Sequence, residues 1–295
     1  MKFIMGTTWM VMACALALPG IALAADHGPV FSYATPVNSQ RELSFDSGIF
    51  GRSSSRGTQL STGSSFGYGL TPHLTVNAFL PATFGSGSLP ESRIISGSEW
   101  SAGASWRFLH SVTSVGKRIE STASLGVVVP GPQQDSGVLA SLHRAPGVAG
   151  SLATGLASRS QYLWAGGGYT RFAEASEDRR PDTLSWSGVY GYRPAKLRRG
   201  YDQWDYRGFV ELTGEHTGNV VKSGTILPDS STTTVWLGPS VLAIFKDVAI
   251  SGGVQGPVFR DASDSGVSGS IYGREHIRFA INFSYLKYSS HTSSH

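Results

Sequence analysis

From His73 to Phe84 the chain alternates strictly, with Leu74, Val76, Ala78, Leu80, Ala82 and Phe84 set against Thr75, Asn77, Phe79, Pro81 and Thr83. A period of two places one set on each face of a β-strand. The pattern recurs with Trp100, Ala102, Ala104, Trp106 and Phe108 against Glu99, Ser101, Gly103, Ser105 and Arg107. It recurs again with Ile119, Ala123, Leu125, Val127 and Val129 against Glu120, Thr122, Ser124 and Gly126. Near the C-terminus Ile277, Phe279, Ile281, Phe283 and Tyr285 oppose His276, Arg278, Ala280, Asn282 and Ser284. Weaker segments near 41–50, 58–70, 148–158, 160–173, 183–193, 204–216, 232–245 and 248–259 bring the expected number of strands to twelve. In three of these the register stays open. Gly48 interrupts the first, Phe209 breaks phase in 204–216, and 232–245 is apolar on both faces, so Trp236 has no assigned direction.

The N-terminus reads as an export signal. Lys2 precedes an apolar stretch from Trp9 to Leu18, Pro19-Gly20 ends it, and Ala22-Leu23-Ala24 offers the small-x-small site of signal peptidases. An uncleaved anchor and lipidation at Cys14 are the rival readings. Beyond this stretch no segment has the roughly 20 apolar residues of a spanning helix. A mature chain that enters a membrane must therefore do so as a closed sheet, since only helices and closed barrels satisfy every backbone group in lipid. Charged residues are 15% of the chain against about 25% in soluble domains, and glycine is frequent at 37 residues. Cys14 is the one cysteine, so the mature chain offers no disulfide framework, thiolate metal cluster or thiol nucleophile. The net charge of +4 is not gathered in a basic block, which argues against nucleic acid as a partner.

These features predict an all-β chain, a transmembrane antiparallel up-and-down barrel of about twelve strands in the bacterial outer membrane. The expected division is a cleaved signal peptide over 1–24, a periplasmic leader or small plug over 25–40, the barrel over 41–286 and a flexible tail over 287–295. Connections alternate in length. Thr71-Pro72, Arg159 and Lys246-Asp247 mark tight turns, and 85–97, 131–147, 217–231 and 260–275 are long and polar, as periplasmic turns and extracellular loops are in such barrels. Two connections, 110–118 and 194–203, are longer than that rule expects. Aromatic residues collect at strand ends. Tyr68, Trp106, Phe108, Tyr162, Trp164, Tyr190, Tyr192, Trp204, Tyr206, Phe283 and Tyr285 fall toward the short-turn end, and Phe84, Trp100, Phe172, Trp186 and Phe259 toward the other. Interfacial girdles explain that sorting, and the core of a soluble β-sandwich does not.

Two runs carry a resemblance. One is Gly69-Leu70-Thr71-Pro72-His73-Leu74-Thr75-Val76, common among outer-membrane barrels. The other joins Trp236-Leu237-Gly238-Pro239 to Ile250-Ser251-Gly252-Gly253-Val254-Gln255-Gly256-Pro257-Val258. The second resembles the outer-membrane transporter-like family named after the meta-cleavage pathway of phenol degradation. That resemblance implies a barrel of about twelve strands that passes small hydrophobic solutes, and it supplies no catalytic motif.

With the apolar faces toward lipid, the other faces line a lumen. The candidate lining residues are Glu42, Asp46, Glu99, Arg107, Asp205, Arg207, Glu211, Glu215 and Arg278, with Glu120, Arg171 and Arg193 in the same rows. Charges of both signs can pair and stiffen the wall, or set a transverse field across a passing solute. Asp205, Arg207, Glu211 and Glu215 make 204–216 the most charged strand. The expected function is a channel or transporter for small hydrophobic or aromatic solutes by passive diffusion, with membrane lipid and the solute as partners. The alternatives are a barrel enzyme acting on lipid and a surface-recognition barrel. An enzyme needs a serine beside a histidine, and His110-Ser111 are neighbours that point to opposite faces. The histidines lack metal-ligand spacing, and no catalytic residue, metal or cofactor is expected.

Overall fold

The structure, a computed structural model, describes residues 28–54, 57–85, 99–130, 145–175, 177–197, 202–261 and 275–288. Twelve long strands form the wall. They are β1 (Glu42–Ser54), β2 (Gly57–Thr71), β3 (Leu74–Gly85), β4 (Trp100–Ser114), β5 (Lys117–Val129), β6 (Gly147–Ser158) and β7 (Gln161–Phe172), followed by β10 (Thr183–Tyr192), β11 (Asp205–Thr217), β14 (Thr232–Phe245), β15 (Val248–Asp261) and β16 (Glu275–Tyr288). Four two-residue strands complete the set: β8 (Glu174–Ala175), β9 (Asp178–Arg179), β12 (Val221–Lys222) and β13 (Thr225–Ile226). The long strands pair antiparallel with their neighbours in the chain, and β1 closes on β16 from Glu42↔Tyr288 to Ser54↔Glu275. Closure leaves the sheet without an edge, which a strand in lipid cannot tolerate.

Alternation survives in three dimensions. Leu125 is 57% exposed and Val241 63%, and Leu152, Leu163, Val210 and Ile281 are likewise turned outward. Their neighbours Ser124, Ser151, Glu211 and Ala280 turn inward. Exposed apolar side chains in such numbers would make a soluble protein insoluble, and in a hydrocarbon layer they are the expected surface. The shortest long strand has 10 residues; at about 3.3 Å each and a tilt of about 40° it still spans the roughly 25 Å apolar band.

Most of the expected girdle is present. Tyr68, Trp106, Phe108, Tyr190, Tyr192, Trp204, Tyr206, Phe283 and Tyr285 are exposed at the short-turn end, and Trp100, Trp186 and Phe259 at the other. Trp204 stacks on Phe245 at 5.3 Å and on Tyr206 at 6.5 Å. Three assignments are corrected: Tyr162, Trp164 and Phe172 point into the barrel. They hold the same face of β7 as Gly166 and Gly168, and the aliphatic face that meets lipid is carried by Leu163 and its neighbours. Tyr162 and Trp164 pack with Ala157, Val189, Phe209, Leu242 and Ala249 into an apolar knot inside the wall. Phe209 therefore keeps phase; it is one of the inward row. Trp236 also points inward. Arg171 lies on the outer face of β7, exposed, and does not line the lumen, because the inward positions of that strand are the even-numbered ones. The side chain of Phe84 lies outside the described residues, as do residues 1–27 with the expected signal peptide, the C-terminal residues 289–295 and most of loops 85–97, 131–147 and 260–275.

The connection expected at 110–118 is a tight turn after all. β4 and β5 run on to Ser114 and Lys117, and Gly116 adopts φ +74°, a left-handed conformation suited to glycine. The 194–203 connection stays longer and holds a short 3₁₀ turn, Ala195–Leu197. β1 passes unbroken through Gly48, where a Cβ would collide with Asn282 Oδ1 of β16. At the long-loop end β8, β9, β12 and β13 pair in the order β13-β12-β9-β8, a small sheet built from the connections that follow β7 and β11. Val220 is fully buried beside it, and its amide donates to Ser230 Oγ at 2.9 Å.

Leu152→Arg, in the middle of β6 on the lipid face, is expected to lower stability by about 2–4 kcal/mol. Denaturant unfolding in lipid vesicles measures the loss. The unaltered barrel is expected to show a mobility shift on detergent gels between boiled and unboiled samples.

Candidate functional site

Residues 28–40 do not follow the wall. They run inside the barrel, and side chains of β1, β3, β5, β7, β10 and β11 hydrogen-bond to them. An extended segment with no partner strand leaves its amides and carbonyls unsatisfied, which is costly away from water. Here polar wall residues take that role. Val30 N and Phe31 N each donate to a different carboxylate oxygen of Glu211 at 2.8 Å. Tyr33 N donates to Ser187 Oγ at 2.8 Å, and the Tyr33 hydroxyl lies 2.6 Å from Ser185 Oγ. Thr122 Oγ1 donates to the Thr35 carbonyl at 2.6 Å, and Trp164 Nε1 to Thr35 Oγ1 at 3.1 Å. Asn38 N donates to Thr75 Oγ1 at 2.9 Å, and Arg41 N to the Gly69 carbonyl at 2.7 Å, where the segment joins β1. Inward serines and threonines, which the sequence presents only as a polar face, thus act as substitute strand partners.

Steric sockets complete the fit. A Cβ on Gly166 would lie 2.6 Å from Tyr33 Cβ, and one on Gly168 would lie 2.2 Å from the Tyr33 hydroxyl. These two glycines leave β7 bare where the tyrosine lies along it.

The predicted charged residues separate into four groups. Toward the short-turn end, Glu120 receives Arg107 Nη1 at 3.2 Å, His110 Nδ1 at 3.0 Å, Arg118 Nε at 3.1 Å and Thr35 Oγ1 at 3.3 Å. Nearby on the same rim, Asp205 pairs with Arg193 Nε at 2.6 Å and Arg207 Nη2 at 3.1 Å, and Glu42 accepts the Ser39 amide. At mid-height Glu211 is completely buried and also accepts Ser240 Oγ, while Asp46 accepts Ser65 Oγ at 3.1 Å. Higher up, Arg278 lies with Glu275, Glu215, Arg52 and Trp236. Glu99 precedes β4 at the long-loop end and pairs with Arg180, whose guanidinium covers the Phe172 ring at 4.1 Å. Asp205, Arg207, Glu211 and Glu215 share the inward face of β11 but belong to three different groups, because residues four apart on a strand, as 207, 211 and 215 are, are separated by about 13 Å.

Between residues 28–30 and the wall lies a cavity with a water-accessible interior of about 60 Å³. Phe50, Phe79, Leu242 and Val30 supply its apolar lining, and Asp46, Ser65, Ser251, Asn282 and Ser284 its polar lining. Arg52, Gln59, Gln255 and Tyr33 were not singled out from sequence. Arg52 continues the inward series Glu42, Ser44, Asp46, Gly48 and Phe50, a signal masked by the assumption that β1 ends near Phe50. His110 pairs with Glu120 while Ser111 points to the other face, so the two do not form a Ser–His pair.

A closed twelve-stranded antiparallel barrel, apolar outside and lined by charge and hydroxyls within, defines the protein as an integral β-barrel of the bacterial outer membrane. Comparison with a solved structure agrees on the fold. The chain is similar to an outer membrane channel from Pseudomonas putida F1, with a TM-score of 0.63 and 12% identity over 89% of this chain and 100% of that one. More distant likenesses are the NanC porin, with a TM-score of 0.49 and 9% identity over 82% and 98%, and LpxR from Salmonella typhimurium, with 0.46 and 9% over 83% and 99%. No protein-family model matches the sequence, and no curated protein matches it by sequence.

Two substitutions test the hold on the inner segment. In a mature chain carrying Tyr33→Cys, a bulky maleimide is expected to label position 33 slowly. Adding Glu211→Gln, which weakens two charge-assisted hydrogen bonds worth about 1.5–3 kcal/mol each, is expected to speed labelling at least tenfold. Gly168→Val in an otherwise unaltered chain is expected to expose the segment to limited proteolysis with the barrel still heat-modifiable.

Proposed function

We propose that the protein is an outer-membrane channel passing small hydrophobic or aromatic solutes by passive diffusion through the barrel. The observation that carries this reading is how the interior is filled. A barrel built only as a rigid scaffold can pack its lumen with large wall side chains. Here small wall residues leave room for residues 28–40, held by hydrogen bonds that water or a solute can replace and by the packing of Phe31 on Phe50 and Ala280. The cavity beside the segment sets phenylalanine rings and aliphatic groups against hydroxyls and one carboxylate. That mixture suits a compact solute with an apolar body and a polar substituent. The structurally similar protein from Pseudomonas putida F1 is itself an outer membrane channel, which favours the same role on the same fold. In this reading the solute enters from the long-loop end, occupies the cavity and leaves when residues 28–40 shift from Glu211 and Ser187.

Uptake of radiolabelled toluene by a porin-depleted Gram-negative host tests the proposal. Cells expressing the protein are expected to take up toluene several-fold faster than vector controls, with little gain for a disaccharide. Deletion of 28–40 is expected to raise conductance in planar bilayers. Absence of toluene uptake together with absence of conductance, in both the intact and the deleted protein, would rule the channel out.

A further inference from the structure

Arg278 is among the most enclosed side chains of the molecule, with 0% of its surface exposed. Its Nε donates to Glu275 Oε1 at 2.9 Å, and its guanidinium lies 3.0 Å above the centroid of the Trp236 ring. Its two Nη nitrogens have no hydrogen-bond partner among the described residues, and neither has the buried Nε1 of Trp236. Glu215 Oε2 stands 4.0 Å from Nη2, near enough to offset charge and too far to accept a hydrogen bond. Directly across the β1–β16 ladder from Arg278 is Arg52, also buried, whose Nε donates to Gln59 Oε1 at 2.7 Å. Like charges facing each other across strands are destabilising, and burial removes the water that would screen them.

The arrangement gathers unused donors in one buried place. A guanidinium offers a planar fork that matches the two oxygens of a carboxylate, the indole ring of Trp236 lies against its face, and Arg52 stands across the ladder. The two glutamates balance the charge of the arginine pair without taking up the Nη donors of Arg278. One inward position below Arg52 on β1 is Phe50, which with Phe79 borders the mixed cavity. Two residues along a strand span about 6.6 Å, the scale of one aromatic ring with its substituent.

We infer that Arg278 and Trp236, faced by Arg52, form an oxyanion subsite for the carboxylate of a small amphipathic solute whose aromatic body lies toward Phe50. The subsite rests on the channel reading for the solute's route, and it adds the chemistry of the solute's head group. It also gives the solute a fixed orientation, carboxylate toward the long-loop end and ring toward the cavity.

Calorimetric titration of the purified mature barrel in non-ionic detergent tests this, with benzoate, benzyl alcohol and inorganic phosphate as probes. Benzoate is expected to bind at least tenfold more tightly than either of the others. Equal binding of benzoate and benzyl alcohol would overturn the oxyanion subsite, and phosphate binding as tightly as benzoate would overturn its assignment to an aromatic acid. Arg278→Lys keeps the charge and loses the fork; it is expected to weaken benzoate at least tenfold, and unchanged affinity would sink the proposal. Should that variant lose heat-modifiability, Trp236→Phe keeps the ring and removes the N–H, with a loss of at least threefold expected and none counting against the site. Toluene uptake separates the two readings. Uptake without selective benzoate binding leaves the channel and removes the subsite, and selective binding without uptake or conductance does the reverse.

Discussion

Backbone hydrogen bonding in hydrocarbon is the constraint from which the rest of this structure follows. Lipid offers no donor or acceptor, so each strand must find two neighbours, and the chain meets that demand by pairing β1 with β16 along thirteen residue pairs. Closure then separates two environments. The outward face is selected for apolar side chains, and the inward face is released from that selection. Serine, glycine and paired charges can occupy it because they see one another and not lipid.

The same demand reappears inside. Twelve strands enclose a bore wider than the short side chains on much of the wall can fill, and residues 28–40 occupy it. Their backbone has no ladder to join, so it depends on Glu211, Ser187, Thr122 and Thr75 one contact at a time. Such a segment is anchored by discrete polar contacts and two glycine sockets, not by a continuous sheet. That difference makes the wall the rigid part of the molecule and the interior the part that a solute can compete for. Higher in the lumen the buried charges follow a related logic, with Glu275 and Glu215 flanking Arg278 and the Trp236 ring covering its face.

Much of this was legible beforehand, and unevenly. The long strands could be placed within a few residues because period-two alternation is local and is imposed by lipid along the whole strand. The aromatic girdles were legible for Trp106 or Tyr190, which stand on the lipid face, and misread for Tyr162 and Trp164. A large aromatic near a strand end looks alike whether it faces headgroups or lumen, and the glycines within the inward row of β7 weaken the alternation that would tell them apart. Arg171 was misplaced for the same reason. The candidate charges were found as a row, yet their division into groups was hidden. Partners such as Glu120 and Arg107, Arg278 and Glu215, or Val30 and Glu211 come from different strands or from outside the wall, and no local pattern pairs them.

What the sequence determined by itself was the strand count, the face each well-alternating strand turns to lipid, and hence a barrel, because these depend only on the order of neighbouring residues and on the solvent they must meet. What only the tertiary structure decided was the content of the lumen: the path of residues 28–40, the cavity against Phe50 and Phe79, and the stack of Arg278 on Trp236. Those depend on which residues the stagger of one strand against the next brings to the same height. Stagger is set by closure of the whole sheet, so no segment of the chain encodes it alone.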